Sequence, residues 1–140
     1  MKTLAVNTGG GNELMDIQRI RREVTQASTT FGWVEVRPTT DGLGVSVKAV
    51  LQTSASNTYV ISISFPNYPN QMPKVAVAQP SIRSLTPHRY NDGNICYLHH
   101  SMWNPGQHDL TFVLARAAKW LNKYEVWCIK GKWPGAQMAH

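Results

Sequence analysis

The residue types with the widest chemical reach stand close together in this chain: Cys96 lies in the stretch Pro80 to Pro105 with His88, His99 and His100. A cysteine attacks as its thiolate, and a free thiol with a pKa of about 8.5 is a few per cent ionised at neutral pH. That fraction suffices for exchange with another thioester, a high-energy acyl carrier, with no acid-base triad beside it. Such a transfer does need a donor to the tetrahedral oxyanion, worth roughly 3 to 4 kcal/mol where one has been removed. His88 can supply an N–H for that purpose or act as a base toward an incoming amine. The plainer alternative is a turn histidine with its ring nitrogens satisfied. The same four residues raise the question of zinc, but no Cys-x-x-Cys or His-x-x-x-His spacing accompanies them, and neither a metal nor another cofactor is expected. A lone cysteine is more often a small buried hydrophobe than a nucleophile. Cys128, at the end of an apolar helical pattern, fits that description; Cys96, between Gly93 and His99 in a polar stretch, is the candidate nucleophile.

A stretch as long as Pro80 to Pro105 with little periodicity is usually functional or disordered, so regular elements on either side must hold it. Upstream, Asn12 is a plausible cap for a helix with Leu14, Ile17, Ile20, Val24 and Ala27 on one face, leaving Arg19, Arg22 and Gln26 toward water. From Phe31 the period changes to two. Trp33 with Val34 and Val36, then Val45, Val47, Ala49 and Leu51, then Ile61, Ile63 and Phe65, then Val75 and Val77 read as four short strands. Brief, turn-rich links at Pro38 to Gly44, Thr53 to Thr58 and Pro66 to Pro73 suit an antiparallel meander, since parallel strands need crossovers of about a dozen residues. Downstream, Asp109 caps a second helix whose stripe runs Val113, Ala117, Leu121 and Tyr124 and which ends near Trp127. Gly131 to His140 is a Gly, Trp and Pro tail, expected to fold back on the domain through Trp127 and Trp133. The order gives an α+β arrangement, helices on an antiparallel sheet. Residues 1–11 read as a flexible N-terminus and 12–140 as one domain. The glycines at 9–11 lack the Gly-Lys-Ser/Thr ending of a phosphate loop and read as linker.

Two segments carry a family resemblance. Phe65, Pro66, Asn67, Tyr68 and Pro69, followed by Pro73, Lys74 and Val75, make a Pro-dense turn that is rigid whatever its role. It resembles the Tyr-Pro and Pro-Pro turn between the third and fourth strands of the ubiquitin-conjugating (UBC) family. In that family a His-Pro-Asn tripeptide precedes the catalytic cysteine, with its Asn eight residues upstream, a Gly three before the cysteine and aliphatic neighbours. Here Pro87, Gly93, Ile95 and Cys96 stand in those places, with His88 where the Asn would be and Thr86 where the His would be. Trp103, Asn104 and Pro105 match the Trp-x-Pro that follows. The likeness spans roughly residues 12 to 127. The missing Asn, the early stop after the second helix, and the Trp- and Gly-bearing end resemble the short bacterial relatives found in cyclic-oligonucleotide antiphage signalling (CBASS) operons.

That resemblance implies a UBC-like fold: an N-terminal helix, a four-stranded meander, a long cysteine-bearing loop, a second helix and a short tail. It also implies an enzyme, a cysteine-dependent transferase whose Cys96, supported by His88, carries the C-terminus of a partner protein as a thioester. The implied partner is a cGAS-like nucleotidyltransferase, with Arg19 and Arg22 of the first helix, and Trp103 and Pro105, as partner-binding residues. The alternative it leaves is a UBC-fold module that binds its partner without chemistry.

Composition narrows the classes further. The chain has 140 residues, enough for one core and too few for two ordinary domains. Hydrophobic residues make up 42% and charged residues 16%, which argues against disorder. No run reaches the roughly 18 to 20 apolar residues of a membrane span, and Met1 to Gly11 lacks the apolar core of a secretory signal, so a cytoplasmic place with reduced thiols is expected. Fourteen Lys and Arg against eight Asp and Glu give a formal charge of +6, which favours acidic partners. The basic residues are dispersed apart from Arg19, Arg21, Arg22 and the pair Lys130 and Lys132, without a basic-aromatic motif, and nucleic acid is not expected as a partner.

Overall fold

Four segments of alternating or near-continuous apolar residues become strands because extended backbone turns successive side chains to opposite faces. They are β1 (Val34–Pro38), β2 (Val45–Gln52), β3 (Thr58–Ser64) and β4 (Lys74–Gln79), paired antiparallel in the order β1-β2-β3-β4. The register sets Val36 opposite Val47, Val47 opposite Ile63, and Ile63 opposite Val75. Val47, Ile63 and Val75 are each fully buried, so one face of the sheet carries a continuous apolar row. The computed structural model describes residues 14–135. The expected flexible segment 1–11, the Asn12 cap and residues 136–140 lie outside them.

Helix α1 spans Ile17–Phe31 and helix α2 spans Leu110–Lys130. α1 begins later than the apolar spacing predicts. Its cap is Asp16, whose side chain accepts from the Arg19 N–H, and Leu14 is exposed ahead of it. The spacing of Leu14 from Ile17 matches a helix, but a carboxylate at Asp16 satisfies an orphan amide of the first turn and Asn12 is not needed. α1 buries Ile20, Val24 and Ala27 against β1, β2 and α2. The Asp109 cap of α2 is as expected, accepting from the Phe112 N–H at 2.9 Å. α2 runs past Trp127 to Lys130 and stops at Gly131, whose positive φ of 75° closes the last turn by donating to the Trp127 carbonyl.

One buried carboxylate ties these elements together. Glu23 of α1 accepts from the Tyr68 hydroxyl at 2.6 Å, from the Leu110 N–H at 3.0 Å and from Arg19 Nε at 2.5 Å. It thereby fixes the Pro-rich turn and the start of α2 to α1. The remaining Arg19 donors go to the Pro105 and His108 carbonyls, both at 3.0 Å. Arg19 is therefore not the water-facing residue that helical spacing suggested: it lies across the Tyr68 ring and closes the backbone ahead of α2. Arg22 does face water, as does Arg21. Among the described residues no helix is long and apolar enough to cross a membrane.

Candidate active site

The segment from Ser81 to His99 has almost no regular structure, yet its backbone is held closely. A tight turn at Tyr90–Gly93, with Gly93 N–H donating to the Tyr90 carbonyl at 2.9 Å, doubles the chain back so that Arg89 bridges Ile95. Gly93 has φ +89°, a conformation that a Cβ would strain, which explains a glycine three residues before the cysteine. Asp92 supports the turn by accepting from the Asn94 N–H at 3.0 Å. The returning strand is anchored on the sheet: Ile95 N–H donates to the Val75 carbonyl at 2.9 Å, and the Tyr97 hydroxyl to the Pro73 carbonyl at 2.7 Å.

This path brings Cys96 against His88. The Cys96 N–H donates to the His88 carbonyl at 2.9 Å, and the indole N–H of Trp120 in α2 donates to the same oxygen at 3.0 Å. His88 holds φ +58°, a left-handed conformation that costs a residue with a Cβ about 1 to 2 kcal/mol. Two hydrogen bonds on its carbonyl hold it there. The His88 ring packs on Trp133 with centroids 4.8 Å apart, and Trp133 in turn lies 5.2 Å from Trp120. The described part of the tail thus folds back on the domain, as its tryptophans suggested.

Both residues line a cleft of about 300 Å³ whose other walls include Tyr97, His99, Trp120 and Trp133 together with the cations Arg116, Lys119 and Lys123. Cys96 is 5% exposed, more deeply set than its polar sequence surroundings imply, and neither cysteine is in a disulfide. Burial pushes the Cys96 thiol up from its ordinary range; a hydrogen bond with Tyr90, one with the Leu98 backbone and the Arg116 charge act against that. Tyr90 also donates to the Leu98 carbonyl at 2.9 Å, which fixes its phenol beside the thiol.

The other residues singled out from sequence fall elsewhere. Trp103 donates its indole N–H to the Pro69 carbonyl at 2.8 Å and packs on Tyr68 and His108. It lines a larger groove, about 960 Å³, with Pro66, Met72, Tyr90 and His100; that groove does not contain Cys96. Trp103, Pro105 and Arg19 therefore gather around Tyr68, while Arg22 stands apart on the outer face of α1. His99 bonds Ser101 through Nδ1, and its ring lies tilted against His100 with centroids 4.6 Å apart. Among the described residues no cluster of three His, Cys, Asp or Glu is arranged to hold a metal. Sequence reading missed Tyr90, Arg116, Lys119 and Lys123. The last three recur at i, i+3 and i+7, a spacing that sets them on one helical face and was legible.

Comparison with known proteins agrees with this architecture. The profile of a family described as Type II CBASS E2 protein matches residues 23–140. A solved structure described as "A complex of the Vps23 UEV with ubiquitin" superposes with a TM-score of 0.53 at 16% identity, covering 74% of this chain and 81% of that one. At that identity the likeness concerns the fold, which is the UBC-like fold expected from the sequence. No curated protein matches the chain.

Proposed function

We propose, from the premise that this chain belongs to the Type II CBASS E2 protein family, that Cys96 carries the C-terminus of a partner protein as a thioester in antiphage defence. The observation that carries the reading is the 2.9 Å bond from the Cys96 N–H to the His88 carbonyl, which holds nucleophile and imidazole in one cleft. In the transfer the thiol gives up its proton, Sγ forms a bond to the acyl carbon, and the donor's carbon–sulfur bond breaks. The leaving thiolate takes the electron pair and a proton. The Cys96 N–H is engaged by the His88 carbonyl, and among the side-chain donors that line the cleft with the thiol the His88 ring and Arg116 are the ones assigned to the oxyanion. Thioester exchange draws on an acyl group already activated, which in this reading arrives as a thioester on another protein. The acyl group is the C-terminus of a cGAS-like nucleotidyltransferase, by the family's operon context.

A second reading is favoured by one specific observation. A thiol 5% exposed and held protonated by burial suits a module that binds the same partner without covalent capture. The two readings separate on a non-reducing gel of partner, its activating protein and this chain. A conjugate that reductant or hydroxylamine cleaves, absent with Cys96→Ala and replaced with Cys96→Ser by a slower-forming, reductant-resistant ester, is the expected result. A complex of equal affinity for Cys96→Ala and parent, with no covalent species in either, establishes the binding module instead.

A further inference from the structure

The geometry points to a second recognition element at this site: Arg116, Lys119 and Lys123 form a cationic ladder that binds acidic side chains just upstream of the C-terminal carboxyl delivered to Cys96. This rests on the reading of Cys96 as the acceptor of a polypeptide C-terminus and names the kind of C-terminus it takes.

The three cations stand on the face of α2 that borders the Cys96 cleft, and all three line it. At 100° per residue they fall within about 60° of one another, and at 1.5 Å per residue they extend roughly 10 Å along the helix. None of the residues lining the cleft is acidic. The ion pairs among the described residues engage Arg19, Arg37 and Lys74 instead. Burial and the neighbouring charges of Lys119 and Arg116 both press the Lys123 ammonium toward its neutral form, the behaviour of like charges held together without a counter-ion.

The ladder also has a direction. Arg116 is the rung nearest the nucleophile: its charge acts on the Cys96 thiol, and its Nε donates to the Tyr97 carbonyl at 3.0 Å. Lys123 is the rung farthest along the helix, beside Gly135 of the tail. An extended polypeptide advances about 3.3 Å per residue, with alternate side chains on one face. A span of roughly 10 Å therefore meets three or four residues, two of which turn toward the helix. With the terminal carbonyl at Cys96 and Arg116, Glu or Asp at alternate upstream positions reaches Lys119 and Lys123. Nucleic acid would also answer to positive charge, but the cations line the same cleft of about 300 Å³ as a thiol, a nucleophile for which a phosphodiester has no use.

The test uses the full-length protein and two fluorescein-labelled ten-residue peptides with free C-termini, one bearing Glu at alternate positions before the terminus and the other Gln. Anisotropy titrations at two salt concentrations should show the Glu peptide binding about tenfold tighter at low salt, with the advantage shrinking as salt rises. The double reversal Lys119→Glu and Lys123→Glu should erase or invert the preference, whereas Lys48→Glu on β2 should leave it. Equal binding of both peptides overturns the proposal. So does equally tight, equally reversible binding of an oligothymidylate of matched charge. A fall in melting temperature of several degrees on double reversal, with no peptide preference in the parent, makes the ladder an internal brace and also overturns it. Preference without any thioester on Cys96 sinks the transfer reading and leaves the ladder; a thioester without preference does the reverse.

Discussion

Glu23 and Tyr68 are joined by a hydrogen bond of 2.6 Å from phenol to carboxylate, linking the middle of α1 to the Pro-rich turn before β4. The same carboxylate takes the Leu110 N–H and Arg19, so one side chain closes three elements on which the Cys96 segment rests. Glu23→Ala removes the acceptor and leaves a buried phenol, a buried amide and a guanidinium without it. Stability should fall by about 3 to 5 kcal/mol, the range for breaking one side of a buried ion pair. Glu23→Gln, which keeps an acceptor oxygen, should lose less. Urea denaturation of the two variants checks the order; equal stability of Glu23→Ala and parent would mean the network contributes nothing.

The strands, the antiparallel meander and the Asp109 cap follow from period-two alternation and short turns, and all three are found. Arg19 and Glu23 sit at polar positions of an amphipathic pattern, and periodicity places both by hydrophobicity alone. It has no means of seeing that the Pro105 and His108 carbonyls end beside α1 and require a donor. The meeting of Cys96 and His88 in one cleft accords with their motif spacing. Tyr90 was not, because its role depends on the Gly93 turn swinging its phenol back toward Leu98 and the thiol.

The ionisation of Cys96 should be visible in its reactivity. Burial raises the thiol above its ordinary value, and the Tyr90 hydrogen bond partly offsets this. A thiol with a raised pKa gains thiolate only as pH climbs, so alkylation by iodoacetamide should keep rising through pH 8 to 9 without a plateau. Tyr90→Phe removes a group that favours the thiolate, and the profile should move further toward alkali. The sign for stability is opposite: the folded state prefers the protonated thiol, so its contribution is present below the unfolded pKa and is lost as pH rises through the folded one. A plateau already reached near pH 7 would contradict both statements.

His88 separates its two roles by atom. Its carbonyl holds the backbone of Cys96 and the indole of Trp120, and any residue supplies a carbonyl; only the ring can meet an oxyanion or an amine. His88→Ala should therefore slow transfer by tens to thousands of fold, the range of a lost donor or general base, with only a small change in folding. His88→Asn, which restores an amide N–H donor, should recover part of the rate. Single-turnover transfer measured beside a melting curve distinguishes this from a purely structural histidine, whose loss would move the melt and not the rate.

Trp133 ties the tail to the site by packing against both His88 and Trp120. Aromatic pairs contribute about 0.5 to 1.5 kcal/mol beyond area burial, so Trp133→Ala, which breaks two, should cost about 1 to 3 kcal/mol. The melting temperature should drop by several degrees. Transfer should slow as well, because the His88 ring loses the surface that orients it, and Trp133→Phe should preserve much of both. A slower transfer with an unchanged melt would make the tail a docking element for the partner.

The outer face of α1 is the expected docking surface for the upstream activating protein, by resemblance to the ubiquitin-conjugating family, and its arginines now divide into two kinds. Arg21 and Arg22 are exposed, while Arg19 is held by Glu23 and two backbone carbonyls. Exposed charges at an interface rim act mainly on the association rate and are screened over about 8 Å at physiological salt. Arg22→Glu together with Arg21→Glu should therefore slow association with an acidic partner and flatten its salt dependence, leaving dissociation and the melting temperature nearly unchanged. Arg19→Glu should behave differently. It sets a second carboxylate beside Glu23 and strips the Pro105 and His108 carbonyls of their donor, so its first effect is on stability. Association kinetics at two ionic strengths, read with thermal melts of each variant, decide the matter. If reversing Arg21 and Arg22 leaves both the rate and its salt slope as they were, the partner docks on another surface and the two arginines only solvate the helix.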